Sequence, residues 1–112
     1  MSQKSLGVDE NVAALLAYVL GWISGLVVIL MEKQNGFVRF HAMQSIITFG
    51  VITLLNVLFT SFLVFLIFLV PLLNLLALVL WIVLMVKAYQ GERFALPVIG
   101  ALAEEWSGKV DL

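Results

Sequence analysis

Cysteine is absent from this 112-residue chain, and histidine occurs only once. Without cysteine the chain can form no disulfide, iron–sulfur cluster, thiolate metal site or cysteine nucleophile. A single histidine cannot build a zinc site by itself. The sequence therefore predicts no metal centre and no bound cofactor.

Charge is also scarce, since only 12% of the residues are charged and six basic residues face seven acidic ones for a net charge of -1. A nucleic-acid-binding protein needs a basic patch, so nucleic acid is not expected as a partner. Apolar residues, in contrast, are abundant and make up 63% of the chain. Soluble domains contain about 45 to 50% apolar residues, so the composition predicts a small membrane protein whose first partner is the lipid bilayer.

Two long stretches carry no charge at all. The first runs from Val12 to Met31 and would measure about 30 Å as a helix, the thickness of the hydrocarbon core of a bilayer. The second runs from Ala42 to Val86 and is about twice as long as one crossing requires. It must therefore turn back, because exposed irregular backbone is not tolerated in hydrocarbon.

The fold class predicted from these stretches is all-α, an integral membrane protein with three transmembrane helices in a single membrane domain, 1–112. The turn of the second stretch is placed by polar Thr60 and Ser61 and by Pro71, which suits the first turn of a helix. The predicted spans lie at about 12–31, 42–62 and 68–89.

A fourth, shorter helix is predicted after the spans. Gly91 favours a helix stop, and Pro97 favours the start of a helix that reaches Trp106. Apolar residues follow one face of this 97–106 segment, which predicts a short C-terminal interfacial helix anchored by Trp106. The alternative is a frayed tail.

The basic residues predict an orientation. Three spans would leave Lys4 on one side of the membrane and the other five basic residues on the opposite side. The positive-inside rule then places the protein in the cell membrane with its N-terminus outside and its C-terminus in the cytoplasm. Asp9 and Glu10, directly before the first apolar stretch, favour a retained helix over a signal peptide.

Small residues mark the first span as a packing helix. Gly21 and Gly25 form a G-x-x-x-G that includes Ser24, on the same face as Ala14 and Ala17. Small residues allow the close backbone approach on which helix association in lipid depends. The face could pack within the chain or against a second copy.

A polar stripe marks the second span, and a thinner one the third. On the second span the stripe falls within about 120° of arc and consists of His41, Gln44, Ser45, Thr48 and Asn56. On the third span Asn74 is followed by Ala77 and Trp81. Because interhelical hydrogen bonds contribute only about 0.6 kcal/mol each, such residues often serve helix packing alone. That interpretation is adopted for Ser24, Thr48, Asn56 and Asn74.

The entrance to the second span carries the candidate functional or lipid-contacting residues, which are Arg39, His41, Gln44 and Ser45. An arginine here can reach a lipid phosphate. A histidine near neutral pH could switch its charge, or it could be structural and bond to Gln44 or to a headgroup. Both readings of His41 stay open.

The sequence around this entrance resembles a known family. The segment F-V-R-F-H-A-M-Q-S at 37–45, the L-x-Y-x-x-G-W-x-x-G at 16–25 and the W-I-V-L-M-V-K-A-Y-Q-G-E at 81–92 are similar to those of small, uncharacterised prokaryotic membrane proteins. That family is related to the Tic-twenty component of the chloroplast inner-envelope import machinery. The resemblance covers about residues 9–103. It implies a multi-pass helical protein and a role near protein translocation, and it highlights Arg39, His41 and Gln44.

Two functions follow from these patterns. The first is a non-enzymatic membrane subunit or scaffold that forms a homo-oligomer or docks on another membrane protein. The alternative is a translocation or permeation component in which several copies turn the polar stripe toward a shared pathway. An enzyme is not expected, because neither uncharged stretch contains an acidic or basic residue that could serve intramembrane chemistry.

Overall fold

The computed structural model describes residues 4–109. A short antiparallel β-hairpin opens the chain, with strands β1 (Lys4–Ser5) and β2 (Val8–Asp9) in the register Lys4 opposite Asp9. A 3-10 helix, Val64–Leu69, lies between the third and fourth α-helices. The five α-helices are α1 (Glu10–Val19), α2 (Trp22–Met31), α3 (Gly36–Ser61), α4 (Val70–Tyr89) and α5 (Ile99–Ser107).

The predicted first span, 12–31, is not one helix but two. The chain breaks at Gly21, whose φ of 64° lies in the left-handed region that glycine adopts without steric cost. Ser24 supports the break, because its Oγ accepts the Leu20 N–H at 3.0 Å and donates to the Ala17 carbonyl at 3.0 Å. Sequence periodicity missed the break, because neither a charge nor a proline interrupts residues 12–31.

The two halves, α1 and α2, form a helical hairpin, which is called the hairpin below. Its two free ends lie next to the start of α3. Asn35 Nδ2 donates to the Glu10 carboxylate at 3.0 Å, and the Asn35 N–H donates to the Glu32 carboxylate at 3.0 Å. The start of α1 and the end of α2 therefore meet at one residue. Each half has ten residues, or about 15 Å, which is half the thickness of the hydrocarbon core.

Within residues 4–109, two helices are long and apolar enough to cross a membrane, α3 and the Val64–Tyr89 segment that contains α4. Three spans are therefore not confirmed. The second predicted span, 42–62, corresponds to α3, which begins earlier because Asn35 Oδ1 caps it by accepting the Val38 N–H at 3.1 Å. The third, 68–89, corresponds to α4 with Pro71 in its first turn.

The turn between α3 and α4 is apolar throughout. The Phe62 and Leu63 N–H groups both donate to the Leu58 carbonyl, at 2.9 and 2.8 Å, and the 3-10 helix follows directly. Backbone groups are thus bonded within the turn, as a low-polarity environment requires.

The chain returns along α3 after α4 ends. Gly91, with φ at 80°, turns the backbone into a segment without regular secondary structure, 92–96, which we call the strap. Helix α5 follows close to the predicted 97–106 helix and packs on α3 through buried Ala103. A Cβ at Gly100 would collide with Ala95, so the strap and α5 are in close contact.

Candidate functional site

The N-terminal half of α3 is a buried polar surface. His41, Gln44 and Ser45 are fully buried, and Arg39 is 7% exposed. A buried polar group destabilises a protein unless it is hydrogen-bonded. The partners of these side chains therefore show what the surface does.

Arg39 binds the carboxyl ends of two helices. Its Nη1 donates to the Ile29 carbonyl at 3.0 Å and to the Glu32 carbonyl at 2.5 Å, where α2 ends. Its Nε donates to the Ser107 carbonyl at 3.0 Å, at the last residue of α5. Carbonyls in the last turn of a helix have no partner within the helix and carry partial negative charge, so a guanidinium stabilises them. Arg39 thus joins α2, α3 and α5.

His41 and Gln44 hold the strap through its backbone. The His41 Nε2 lies 2.9 Å from the Glu92 carbonyl, and Gln44 Nε2 donates to the Phe94 carbonyl at 2.8 Å. Gln44 Oε1 accepts the Leu96 N–H at 2.9 Å. Backbone groups of the strap are therefore hydrogen-bonded by side chains of α3 and not by a neighbouring strand.

Tyr18 of α1 completes this network. Its hydroxyl lies 2.7 Å from His41 Nδ1 and accepts from Gln44 Nε2 at 3.1 Å. Because a carbonyl only accepts, His41 Nε2 must carry the proton toward Glu92, which leaves Nδ1 to accept from the tyrosine hydroxyl. Both nitrogens of a neutral His41 are then hydrogen-bonded within the molecule.

Ser45 and Gly25 fix the hairpin against α3. Ser45 Oγ donates to the Gly21 carbonyl at 2.9 Å, at the tip of the hairpin. A Cβ at Gly25 would lie 2.8 Å from the Ala42 carbonyl oxygen, closer than real Cβ atoms approach. The G-x-x-x-G face, with Ser24 and Gly21 in the turn itself, is therefore occupied inside the molecule.

The remaining polar residues of the stripes lie apart from this network. Thr48 is buried, and within residues 4–109 its Oγ1 has no hydrogen-bond partner. Asn56 Nδ2 donates to the Ile52 carbonyl of its own helix at 3.0 Å. Asn74 is exposed on α4.

Three residues of the site were not predicted from the sequence. Tyr18 links α1 to α3, Trp81 Nε1 donates to the Tyr18 carbonyl at 2.7 Å, and Asn11 Nδ2 donates to the Tyr89 carbonyl at 2.9 Å. Trp81 and Asn11 satisfy carbonyls at the ends of α1 and α4. A search for polar side chains near predicted helix ends could have suggested Asn11, whereas the pairing of Trp81 with Tyr18 spans 63 positions.

The charged side chains of the described residues cluster at the end of the molecule where the hairpin opens, which we call the charged end. Lys87 pairs with Glu92 at 3.0 Å, and Arg93 with Glu104 at 2.5 Å. Burial raises the pKa of Glu32, but hydrogen bonds from Ser5 and from the Gln34 and Asn35 N–H groups outweigh it and lower that pKa below its ordinary value. The opposite or apolar end is formed by the turn between α3 and α4, and it lies within the uncharged stretch 42–86.

No grouping of three or more histidine, cysteine, aspartate or glutamate side chains within residues 4–109 is arranged to hold a metal ion. The site instead bonds side chains to backbone. Together with two membrane-length helices and an apolar outer surface, this arrangement defines a small helical integral membrane protein.

Comparison with known proteins places the chain more narrowly. Residues 7–103 match the model of the magnetosome magnetite crystal formation protein family, and the chain belongs to that family. It is 48% identical over 107 residues to a UPF0132 membrane protein of Methanocaldococcus jannaschii, covering 96% of each chain. A second protein of that name and organism is 43% identical over 102 residues, 91% of this chain and 73% of the relative.

A UPF0132 membrane protein of Archaeoglobus fulgidus is 46% identical over 101 residues, which cover 90% of this chain and 98% of the relative. No solved structure matches the chain. These relatives support the small membrane-protein family expected from the sequence, while the link to the Tic-twenty component stays a hypothesis.

Proposed function

We propose that this protein is a non-enzymatic integral membrane subunit that self-associates or docks on another membrane protein. The observation that supports this proposal is the division of its surface. The polar side chains of the site all bond within the molecule, and they are Arg39, His41, Gln44 and Ser45. The outward faces of α3 and α4, in contrast, consist mainly of exposed apolar side chains. The side chains on the outer surface of these helices are therefore suited to contact lipid or an apolar helix of another protein.

Self-association is tested by measuring the mass of the purified protein in lipid nanodiscs and after crosslinking in native membranes. A dimer or larger assembly, or a captured membrane protein that co-purifies in mild detergent, is expected. A monomer that captures nothing in either preparation contradicts the proposal.

The topology we propose has both termini in the cytoplasm. The hairpin enters and leaves at the charged end, and α3 and α4 then cross and return, so the chain begins and ends on one side. Basic residues on that side include Lys33, Lys87 and Lys109, and the positive-inside rule assigns it to the cytoplasm. This arrangement replaces the expectation of an external N-terminus, which required an odd number of crossings.

Single-cysteine labelling tests the topology, because the chain contains no cysteine of its own. Asp9→Cys, Lys33→Cys and Lys109→Cys are expected to react with a membrane-impermeant maleimide from the same side. Ser61→Cys is expected to react only from the other side or not at all. Labelling of Asp9→Cys and Lys109→Cys from opposite sides would refute this topology.

The absence of enzymatic activity is part of the proposal. His41 has both nitrogens bonded within the molecule, and Ser45 Oγ donates to a backbone carbonyl rather than to a base. A nucleophile needs a neighbouring base, and a general base needs a free lone pair. Turnover of a lipid or peptide by the pure protein, lost in His41→Ala, would overturn this part.

A translocation or permeation component, as the resemblance to the Tic-twenty family implies, is the second candidate. Its supporting observation is buried Thr48, a member of the polar stripe whose hydroxyl has no hydrogen-bond partner in residues 4–109. Flux into liposomes is the test, with wild type compared with the Gln44→Leu, Asn56→Leu double variant. A flux that is present in wild type and lost in the double variant favours this candidate. If wild type shows no flux, the candidate is rejected.

The family description names magnetite crystal formation. The relatives are named only as membrane proteins, and this membrane location is the property proposed for the chain. The proposed self-association does not depend on a role in magnetite formation.

A further inference from the structure

Asn74 is the polar residue of α4 that the fold leaves outside. Its side chain is exposed between exposed Leu72, Leu75 and Leu76. The segment Val64–Tyr89 is the more apolar of the two membrane-length helices, and its most apolar 18-residue stretch has no buried residue. Within residues 4–109 no hydrogen bond reaches the Asn74 side chain.

The depth of Asn74 makes this exposure significant. Lys87, at the charged end, lies 13 positions farther along the sequence, which corresponds to about 20 Å of helix. Asn74 is therefore inside the hydrocarbon, where neither water nor headgroups reach and an unbonded amide is costly. Asn56 of α3 avoids this cost by donating to its own helix at Ile52.

The small-residue face of the first predicted span, which the sequence favours for oligomerisation, is already packed inside the molecule. Gly25 packs against the Ala42 backbone, and Ala14 and Ala17 are fully buried. Self-association must therefore use another face. Asn74, Leu78 and Ile82 recur at i, i+4 and i+8 on α4, and the two apolar members are 49% and 48% exposed.

We propose that α4 pairs with α4 of a second copy of this chain, with the two Asn74 amides bonded to each other across a two-fold axis. The occupant follows from the chemistry of the amide, which carries both a donor and an acceptor. Under two-fold symmetry each Asn74 amide donates a hydrogen bond to the Asn74 amide of the other copy and accepts one from it. The pairing therefore provides both amides with a hydrogen-bond donor and an acceptor. Lipid tails offer no such partner. This inference rests on the proposed self-association and names its surface.

The first experiment compares Asn74→Leu with wild type by energy transfer between labelled copies as the protein is diluted in lipid. Loss of two interhelical hydrogen bonds is expected to weaken dimerisation about tenfold. Asn56→Leu is the matched control, because its amide bonds within one helix, and it is expected to leave the dimer unchanged within about twofold. Asn74→Gln keeps a donor and an acceptor and should restore most of the affinity.

The second experiment locates the interface in the cysteine-free chain. Leu78→Cys is expected to form an intermolecular disulfide under mild oxidation in membranes. Leu54→Cys, 70% exposed on α3, is the control and should stay monomeric on a denaturing gel.

The outcomes separate this inference from the function it builds on. A wild-type protein that is monomeric in lipid overturns both. A dimer that Asn74→Leu does not weaken, and that crosslinks through Leu54→Cys and not through Leu78→Cys, overturns the α4 interface and leaves self-association standing.

Discussion

The charged end and the apolar end of this molecule are held together by different interactions. At the charged end, the hairpin, the strap and α5 pack around the first half of α3 and are tied by side-chain hydrogen bonds to backbone. At the apolar end, the last turns of α3 pack on the 3-10 helix and on α4. In its most apolar stretch α3 is 33% buried and the Val64–Tyr89 segment 0%. One end is organised as a core, and the other depends on lipid or a partner to cover it.

The largest expected effect comes from breaking the Arg39 clamp. Arg39→Ala removes the guanidinium from the carbonyls of Ile29, Glu32 and Ser107. Each buried carbonyl left without a donor costs about 1 to 3 kcal/mol, and here three carbonyls lose their partner at once. Thermal unfolding in detergent measures the loss. Arg93→Ala, which breaks an exposed pair with Glu104, is the control and should cost about 1 kcal/mol or less.

A smaller loss is expected when Gly25 receives a side chain. Gly25→Ala places a Cβ against the Ala42 carbonyl, a backbone atom that cannot move aside, and overpacking costs about 1 to 3 kcal/mol. Gly50→Ala is the matched control, because nothing lies within 4 Å of a Cβ there and alanine favours a helix. Equal unfolding temperatures for the two variants would mean that α2 does not pack closely on α3.

The strap is expected to loosen when its polar ties are cut. Gln44→Leu removes the bonds to Phe94 and Leu96, and each backbone group left unpaired costs about 1 to 3 kcal/mol. Tryptic cleavage after Arg93 should then become about ten times faster. Asn56→Leu, at the apolar end, should leave the cleavage rate as in wild type. Equal rates in both variants would show that Gln44 does not hold the strap.

Acidification should weaken the charged end only slightly. The pKa of Glu32 is lower in the folded protein because Ser5 and two backbone N–H groups bond its carboxylate, although burial opposes them. A lowered pKa contributes stability above the ordinary carboxyl value near 4.5, and that contribution is lost as the pH falls through the folded value. The difference in unfolding temperature between wild type and Glu32→Gln should therefore shrink from pH 6 to pH 3. A constant difference contradicts this origin.

Much of the helical content was predictable from local patterns. The uncharged stretch after Ala42 predicted two helices with a turn between them, and Pro97 with Trp106 predicted a helix close to α5. Hydropathy averages over a window, however, and it treated 12–31 as one span. The break depends on a single left-handed glycine and on Ser24, and neither changes the average.

The site was predictable in its members but not in its role. His41, Gln44 and Ser45 stood out because they interrupt an apolar helix. Apart from the Tyr18 hydroxyl, their partners are backbone atoms up to 52 positions away, and backbone atoms carry no sequence signal. Asn74 shows the same limit, because it shares the helical spacing of Trp81, and yet Trp81 reaches α1 while Asn74 faces outward.

Composition and charge spacing alone determined that this chain is a helical membrane protein with its charges outside the longest apolar runs, because transfer of apolar surface out of water is additive and needs no knowledge of the fold. Only the tertiary structure decided that the first apolar run doubles back and that the polar stripe holds the strap. Those outcomes depend on the directional geometry of hydrogen bonds and on close backbone contact at Gly25, which arise only when distant segments meet.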